Sequence, residues 1–480
     1  MTSDALLHLP ATEMVRLVAA GEMRAVDVVQ AHLDRIARVD PLLHAFVDLR
    51  SDAALVDARA QDTAAAGGAP RGPLGGLPIT VKSAIDVAGL RCETGSPSRK
   101  GTIATADAVV VARLRAAGAI VLGTTNVAEM LMGYESDNPL HGRTANPWDL
   151  SRTPGGSSGG ESAAIAAGCS AGGIGSDGGG SIRVPAHFTG ICGLKPTPGR
   201  LPSTGHQPPC LAPFSLLGVV GPMARRVGDV YAMFKVMAGW DSYDPMSAPV
   251  PVTSLDAASA GPFRIGYFED DGRTVVTAET REAVRRAAQA AADAGHDVEA
   301  FRPDGLDRAR ELWNVFFAEL GLLLLGETLD GAERELPILK AFLEGAAPPR
   351  PLTSLGLMHA WIDRDELRAK LLRQMDAHRI LICPVASVPA FVHGERQWTV
   401  DGTNVGYLDA MSYTQWFNVL GNPAAVVPAG RSPEGLPIGV QVVGRPFEEE
   451  LVLSVAAAIE RGCGGYAPPP VGTSVDVQTP

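Results

Sequence analysis

Apolar residues recur at helical and strand spacings along the first third of the chain. Between residues 11 and 39 they return every three or four positions, which is typical of amphipathic helix, and residues 52–66 show a second helical stretch. A glycine- and proline-rich loop follows at residues 67–76. The next predicted elements are a buried strand at 77–82, a helix at 107–117 and a strand at 119–122. This alternation favours a largely parallel or mixed sheet covered by helices.

The second half of the chain resumes the alternation after a connector rich in Pro, Ser and Ala at residues 241–261. Its predicted strands are 263–267, 380–383, 424–427 and 439–443, and its predicted helices are 277–294 and 451–459. Residues 300–380 have a helical pattern with an apolar bias, which suits a cap or one wall of a substrate pocket. We therefore expect an α/β fold with one large domain over residues 1–480, in which residues 300–380 form a variable helical cap.

The composition is that of a globular protein with an acidic balance. Hydrophobic residues make up 46% of the chain and charged residues 20%, and 41 Lys and Arg against 53 Asp and Glu leave a net charge of −12. Because there is no basic run, nucleic acids and anionic membranes are poor electrostatic partners. The most apolar stretch, residues 312–326, contains Asn314 and Glu319 and is too short to span a bilayer.

The cysteines and histidines indicate a compartment and exclude one kind of site. The first residues of the chain lack the basic region of a secretory signal. The cysteines form no CxxC pair, which is typical of reduced thiols and predicts a cytoplasmic protein. The histidines include no HxxxH or HExxH pair, so no metal site is expected. The six cysteines are Cys92, Cys169, Cys192, Cys210, Cys383 and Cys463.

Two loops rich in glycine and serine, residues 153–161 and 175–185, carry the strongest chemical signal. As phosphate-binding loops they lack the lysine of the GxxxxGK[ST] pattern. Residues 155–159 match the GxSxG nucleophile elbow of α/β-hydrolases, although no later histidine has a context that marks it as a triad member. A third interpretation uses both loops together.

In this third interpretation the second loop forms an oxyanion hole. Gly178, Gly179, Gly180 and Ser181 can present consecutive backbone N–H groups that converge on one point, which suits acyl transfer. A second serine and a buried lysine would complete a proton relay without histidine. Lys82 is the candidate lysine because it ends an apolar strand, where burial disfavours the ammonium and lowers its pKa.

Several runs of the sequence occur together in one known family. They are residues 76–82, 125–126 with Glu129, 146–148, 154–160, 175–185, 190–197, 221–225 and 435–441. On these runs the chain resembles the amidase signature family of serine hydrolases, and the similarity covers nearly the whole chain. The resemblance implies a central twisted mixed β-sheet covered by helices on both sides.

The resemblance also implies a Ser–cis-Ser–Lys triad. Ser181 matches the nucleophile, Ser157 matches the bridging serine that the family holds in a cis peptide, and Lys82 matches the base. The N–H groups of residues 178–181 would hold the oxyanion. Ser158 would support the lysine from a second layer, and no metal or organic cofactor is implied.

This chain departs from the family pattern at two positions. Ser83 follows the lysine where many members have Asp, and Gly178 stands where Thr or a β-branched residue is usual. The second departure would loosen the oxyanion loop. In contrast, Glu161 and the run 135–142 are more similar to the fatty-acid-amide and aryl-acylamide branches than to the tRNA-amidotransferase branch.

The remaining candidates support the site. Asp177 and Arg183 are expected to form an ion pair that braces the loop. Candidates for an apolar substrate pocket are Met130, Met132, Tyr134 and Trp416.

The sequence thus predicts a hydrolase that cleaves C–N amide bonds of small hydrophobic or aryl substrates through an acyl-enzyme. Carbamates have a similar oxyanion and amine leaving group, so urethanase activity is a related hypothesis. The alternative is a glutaminase-type subunit of a tRNA-dependent amidotransferase, which would need glutamine and a partner chain. The oligomeric state is left open.

Overall fold

The computed structural model describes residues 3–258, 262–321, 323 and 352–472. Its largest sheet has 11 strands in the order β1-β3-β2-β6-β8-β7-β14-β15-β11-β9-β10 within this part of the chain. The strands are β1 Phe46–Leu49, β2 Pro78–Lys82, β3 Ile120–Thr125, β4 Asp137–Asn138, β5 Gly142–Arg143, β6 Gly172–Asp177, β7 Cys192–Lys195, β8 Val219–Ala224, β9 Arg264–Tyr267, β10 Asp297–Ala300, β11 Ile380–Pro384, β12 Gln397–Val400, β13 Thr403–Gly406, β14 Ala424–Arg431 and β15 Pro437–Val443.

The helices alternate with these strands along much of the chain. They are α1 Ser3–Leu7, α2 Ala11–Ala19, α3 Ala25–Leu43, α4 Ser51–Ala66, α5 Val109–Ala116, α6 Gly159–Ala166, α7 Arg183–Thr189, α8 Val227–Met237, α9 Leu255–Ala258, α10 Ala278–Asp293, α11 Leu306–Trp313, α12 Ser354–Gln374, α13 Tyr407–Ala410, α14 Ser412–Val419 and α15 Glu449–Cys463. A π-helical segment, Asn314–Glu319, extends α11.

The sheet is mixed and is covered on both faces. Strand β2 runs parallel to β3 and β6, whereas β6 is antiparallel to β8 and β14 is antiparallel to β15. Adjacent residues of a strand point to opposite faces. Accordingly Val426 and Val427 belong to two different hydrophobic clusters, as do Val442 and Val443. The predicted α/β fold with a helix-covered mixed sheet is confirmed.

Most of the predicted elements occur close to their predicted bounds, and the first helical stretch differs for a clear reason. The helical pattern of residues 11–39 divides into α2 and α3, because the chain turns at Gly21, where φ is 71°. Glycine adopts this left-handed conformation without the cost that a side chain imposes.

The segment of residues 300–380 combines described and undescribed parts. Helices α11 and α12 and the π-helical segment confirm helical structure at its two ends. The predicted cap over residues 324–351 lies outside the described residues. In the described part, Trp313 of α11 and Phe317 of the π-helical segment reach the glycine-rich loop that follows β6.

The parallel pairing of β2 with β6 positions the site. Val81 lies opposite Ile174, so both strands reach the same edge of the sheet at their carboxyl ends. Lys82 ends β2 there, and Ser176 and Asp177 end β6 beside it. Ligands of α/β sheets commonly bind outside the carboxyl ends of parallel strands.

Candidate active site

Lys82 is fully buried and contacts two serines. Its Nζ lies 2.7 Å from Ser157 Oγ and 3.0 Å from Ser176 Oγ, and it also donates to Ser176 O at 3.4 Å. Burial lowers the pKa of Lys82 to about 7, although the charges of Asp177, Cys210 and Glu161 oppose this shift. A lysine with such a pKa is neutral in a large fraction of molecules near neutral pH, so it can accept a proton.

Ser157 lies in the first glycine-rich loop, two residues before helix α6 begins. The Gly156–Ser157 peptide bond is cis, as the family resemblance implies. The Ser157 carbonyl oxygen accepts hydrogen bonds from Ser136 Oγ at 3.3 Å and from Ala128 N at 3.4 Å. The side chain is fully buried against Lys82.

Ser181 is more accessible than its two neighbours in the proposed triad. It is half-buried and lines the same cavity as Ser157. Its carbonyl oxygen accepts a hydrogen bond from Ser158 N at 3.2 Å, which joins the two glycine-rich loops. Among the hydrogen bonds of the described residues, none involves Ser181 Oγ, so this hydroxyl is available to a ligand in the cavity.

Ser176 is a site residue that the sequence analysis missed. Ser158 was expected to support the lysine from a second layer, and its Oγ donates to Ser176 O at 3.3 Å and accepts from Ser176 N at 3.4 Å. The direct hydroxyl contact to the lysine comes from Ser176. The available signal was the position of Ser176 next to the end of a strand that pairs with the strand of Lys82.

The peptide planes of the glycine loop are held by side chains from three other elements. Trp313 Nε1 donates to Gly178 O at 2.9 Å, and Gly179 O accepts from Tyr134 Oη at 3.0 Å and from Thr414 Oγ1 at 2.7 Å. In a trans peptide the C=O and the following N–H point in opposite directions. These contacts therefore set the directions of the next two N–H groups in the loop.

One of the four expected oxyanion donors is already used. Gly180 N donates to Asp177 Oδ1 at 2.8 Å, so in this structure it does not face a ligand as a free donor. By contrast, the described hydrogen bonds give no acceptor to the N–H groups of Gly178, Gly179 and Ser181. The expected set of four donors is thereby reduced to three, because the Asp177 carboxylate binds at the start of the loop.

Gly178 leaves room for an aromatic ring. A Cβ atom at Gly178 would lie 2.6 Å from Phe317 Cε2, and one at Gly179 would lie 2.6 Å from Trp313 Cζ2. The Phe317 and Trp313 rings stack with centroids 4.8 Å apart. The loosening expected from a glycine at position 178 is thus offset, since the packed rings of Phe317 and Trp313 fill the space beside the loop.

Asp177 and Arg183 form a fully buried, bidentate ion pair. Arg183 Nη2 lies 2.9 Å from Asp177 Oδ1 and Nε lies 3.0 Å from Oδ2. Arg183 also donates to Gln441 Oε1 and Asn418 Oδ1. The Arg183 guanidinium holds the pKa of the Asp177 carboxyl well below its ordinary value, against the opposing effect of burial. The structure therefore places both residues as the expected brace.

Glu161 is fully buried beside β2, the strand that ends at Lys82. Thr80 Oγ1 and Thr125 Oγ1 donate to its two carboxylate oxygens, at 2.5 Å and 2.8 Å. Burial raises the pKa of Glu161 to about 8, and the two threonine hydrogen bonds oppose this shift. Glu161 therefore ties helix α6 to strands β2 and β3, close to the lysine.

A cavity of about 620 Å³ opens above Ser157 and Ser181. Its walls are mainly apolar, with Met130, Leu131, Met132, Pro208, Leu211 and Phe214 among them. Of the four predicted pocket residues, Met130 and Met132 therefore lie in this lining.

Tyr134 and Trp416 do not line this cavity. Tyr134 lies behind the loop, where its hydroxyl donates to Gly179 O and accepts from Gln415 Nε2. Trp416 is fully buried beside Phe268, Tyr413 and Phe417. In the sequence, Tyr134 is a candidate because it lies in the loop before the serines, and Trp416 because it is an aromatic residue of the C-terminal part, but the packing of both directs them away from the cavity.

Two other kinds of feature are absent from the part of the chain that the structure describes. No cluster of three or more His, Cys, Asp or Glu side chains is arranged there to hold a metal ion. In the same ranges, each helix is too short or too polar to cross a membrane.

Comparisons with known proteins define the family. The family model described as Amidase matches residues 27–453. A glutamyl-tRNA(Gln) amidotransferase subunit of Acidothermus cellulolyticus is 35% identical over 484 residues, covering 95% of this chain and 94% of that protein. The indoleacetamide hydrolase of Bradyrhizobium diazoefficiens is 34% identical over 471 residues, covering 95% of this chain and 87% of that protein.

A solved structure extends the comparison to the fold. A bacterial aryl acylamidase of the amidase signature family has a TM-score of 0.83 at 26% identity, covering 95% of this chain and 96% of that one. The chain belongs to the amidase family, and the resemblance stated from its sequence is confirmed. This membership places it among enzymes that act on C–N amide bonds.

Proposed function

We propose that the protein hydrolyses C–N amide bonds of small hydrophobic or aryl substrates through an acyl-enzyme on Ser181. The observation that carries this proposal is the 2.7 Å contact of Lys82 Nζ with Ser157 Oγ, beneath a cavity that Ser157 and Ser181 both line. A neutral amine within hydrogen-bond reach of a hydroxyl is suited to general base catalysis.

The proposed relay carries a proton from Ser181 through Ser157 to Lys82, and then returns a proton to the leaving nitrogen. Neutral Lys82 takes the proton of Ser157, which takes the proton of Ser181 as Ser181 Oγ attacks the carbonyl carbon. The proton then returns along the same path to the leaving nitrogen as the C–N bond breaks. A water molecule repeats the attack on the acyl-enzyme, and the carboxylic acid leaves while Ser181 regains its proton.

The oxyanion would be held by backbone donors. We assign this role to the N–H groups of Gly178, Gly179 and Ser181, since the N–H of Gly180 donates to Asp177. Such donors stabilise the charge that develops in the tetrahedral intermediate, and their prior orientation avoids a reorganisation cost during the reaction.

The cavity supports a small apolar substrate. Methionine, leucine, proline and phenylalanine side chains dominate its lining, and these contacts favour aliphatic or aromatic groups. The indoleacetamide hydrolase relative has a name that specifies an aryl-containing amide. Carbamates offer the same carbonyl and amine leaving group, so urethanase activity is part of this proposal. We place the protein in the cytoplasm, because its cysteines are unpaired.

A second candidate is a catalytic component of a tRNA-dependent amidotransferase. The observation in its favour is the 35% identity to a glutamyl-tRNA(Gln) amidotransferase subunit. In that role the chain would release ammonia from glutamine and depend on a partner. The cavity lining favours the stand-alone hydrolase, because most of it is apolar and its acidic residue, Asp177, is already paired with Arg183, which leaves the α-ammonium group of glutamine without a carboxylate partner there.

The test is amine release by the purified protein from an anilide, its carbamate analogue and glutamine. We expect turnover of the anilide or carbamate, and their ratio separates amidase from urethanase activity. Ser181→Ala should abolish turnover and also prevent labelling by a fluorophosphonate, which reacts with activated serines. Circular dichroism of the variant provides the control for folding.

Two results would contradict the hydrolase proposal. One is turnover of glutamine alone, particularly if a second chain co-purifies, which would favour the amidotransferase role. The other is unchanged anilide turnover in Ser181→Ala, which would return attention to Ser157 as the nucleophile of a GxSxG elbow.

A further inference from the structure

The ionisable residues in the cavity lining differ in whether they carry an unpaired charge. Asp177 lines the cavity, but its carboxylate is paired with the buried Arg183. His206 also lines it, and burial lowers the pKa of this imidazole to about 4, so it is neutral at pH 7. Arg99 is a third ionisable residue in the lining, and at neutral pH it is positively charged.

Arg99 has no carboxylate partner among the described residues. It lies at the end of the 3₁₀ turn Pro97–Arg99 and is half-buried. Its Nη2 donates to Cys92 O at 3.2 Å, while its Nε is buried without a hydrogen-bond acceptor. The nearby Glu93 carboxylate is already occupied by Gly101 N and His141 Nε2, at 2.6 Å and 2.7 Å.

A guanidinium that is partly removed from water, and that has no carboxylate partner among the described residues, gains stability when a ligand supplies an anion. Arginine has five N–H donors in a planar arrangement that fits a carboxylate in bidentate fashion. Much of the cavity lining is apolar, so a ligand that fills the cavity and also reaches Arg99 would join an apolar group to an anion. These two features describe an amphiphilic ligand with an apolar body and a carboxylate at one end.

We propose that Arg99 binds a carboxylate of the substrate, and that the preferred amides carry this carboxylate on their apolar part, away from the scissile bond. This inference rests on the proposed amide hydrolysis and specifies its substrate class. It makes Arg99 a specificity-determining residue, which acts on substrate binding and leaves the proton relay unchanged.

The test compares acidic probes with neutral partners of similar size. Suberic acid monoanilide carries the carboxylate on the acyl side, and 4-octanamidobenzoate carries it on the amine side. Octananilide is the neutral partner of both. We expect kcat/KM for one acidic probe to exceed that for octananilide by at least about tenfold, since a hydrogen bond to a charged group in a protein has roughly this effect.

Three variants distinguish a role of Arg99 in binding the substrate carboxylate from a purely structural role. Arg99→Gln should abolish the preference for the acidic probe, and its loss of kcat/KM on octananilide should be much smaller than its loss on the acidic probe. Arg99→Lys should keep part of the preference, because the charge remains but the bidentate geometry is lost. Lys100→Gln removes the same charge from the exposed neighbouring residue outside the cavity lining, and should leave the preference intact.

The proposal is overturned if neither acidic probe is preferred, or if the preference survives in Arg99→Gln or disappears equally in Lys100→Gln. An equal loss on acidic and neutral probes in Arg99→Gln would also overturn it, because that result indicates a structural role. If no anilide is hydrolysed, the proposed function fails independently. The Arg99 proposal is then judged by calorimetric binding of the same probes, with loss of carboxylate-dependent affinity in Arg99→Gln as support and its absence as refutation.

Discussion

The Phe317 ring lies against residue 178, with its Cε2 2.6 Å from the position that a Cβ atom of that residue would take, which is closer than van der Waals contact. Phe317 belongs to the π-helical segment that extends α11, whereas Gly178 follows β6 in the candidate oxyanion loop. Although the two positions are far apart in sequence, each limits the size of the side chain that fits at the other. A larger residue at 178 requires a smaller one at 317.

This relationship predicts a rescue by double substitution. Gly178→Ala should lower kcat/KM for the anilide substrate by at least about tenfold, because overpacking costs roughly 1–3 kcal/mol and displaces a candidate oxyanion donor. Phe317→Ala in the Gly178→Ala background should recover part of that activity. A double-mutant cycle of kcat/KM measures the coupling, and strictly additive effects would refute the relationship.

Trp313 is predicted to orient an oxyanion donor. Its Nε1 donates to Gly178 O at 2.9 Å, which directs the Gly179 N–H of the same peptide to the opposite side. Trp313→Phe should therefore reduce kcat by roughly tenfold with little change in KM, since the lost constraint affects the transition state. A rise in KM with unchanged kcat would show that the indole serves substrate binding instead.

Lys82 is predicted to set the acidic limb of the pH–rate profile. Its lowered pKa of about 7 means that it is protonated, and inactive as a base, below that pH. We expect kcat/KM to rise about tenfold per pH unit below pH 7 and to level off above it. Steady-state rates across the range of stability measure this limb.

Lys195 provides a matched control for that assignment. It is also fully buried with a pKa lowered to about 7, but its Nζ donates to Pro196 O at 2.9 Å, outside the serine network. Lys195→Met should keep an acidic limb at the same pH in whatever activity remains. A limb that disappears in this variant would assign the titration to Lys195.

Ser176 is predicted to tune the lysine. Its Oγ accepts from Lys82 Nζ at 3.0 Å, which favours the protonated amine. Ser176→Ala should therefore lower the pKa of Lys82 further, moving the acidic limb to lower pH, and should reduce the plateau because the amine is less well positioned. Ser158→Ala is the comparison, since the Ser158 hydroxyl contacts the backbone of Ser176 and not the lysine, so its loss should leave the limb in place.

The buried ion pair predicts a large effect on stability. Arg183→Met leaves the Asp177 carboxylate buried without its main partner, and should lower the free energy of unfolding by about 3–5 kcal/mol. Denaturant unfolding at pH 7 measures this change. Arg285→Met breaks the surface pairs of Arg285 with Glu282 and Glu269 and should cost less than about 1 kcal/mol. Equal effects of the two substitutions would contradict a bracing role for Asp177.

Local sequence patterns predicted much of the fold. The strand at Lys82 and the helices near residues 52–66 and 277–294 depend on apolar periodicity within a short window, so neighbouring residues contain the required signal. The break between α2 and α3 was missed, because apolar residues continue at helical spacing on both sides of Gly21.

The motifs of the sequence by themselves determined the family and the candidate triad of Lys82, Ser157 and Ser181. Only the tertiary structure decided which groups meet this triad. The contact of Ser176 with the lysine follows from strand pairing, and the use of the Gly180 N–H by Asp177 follows from the path of the loop.

The pocket depended most strongly on tertiary structure. Tyr134 and Trp416 look like pocket residues in the sequence, yet one supports the loop from behind and the other lies in the core. Phe317 and Arg99 reach the cavity from segments outside the motifs. The physical reason is that a pocket wall is formed by long-range packing directions, which no local pattern of residues encodes.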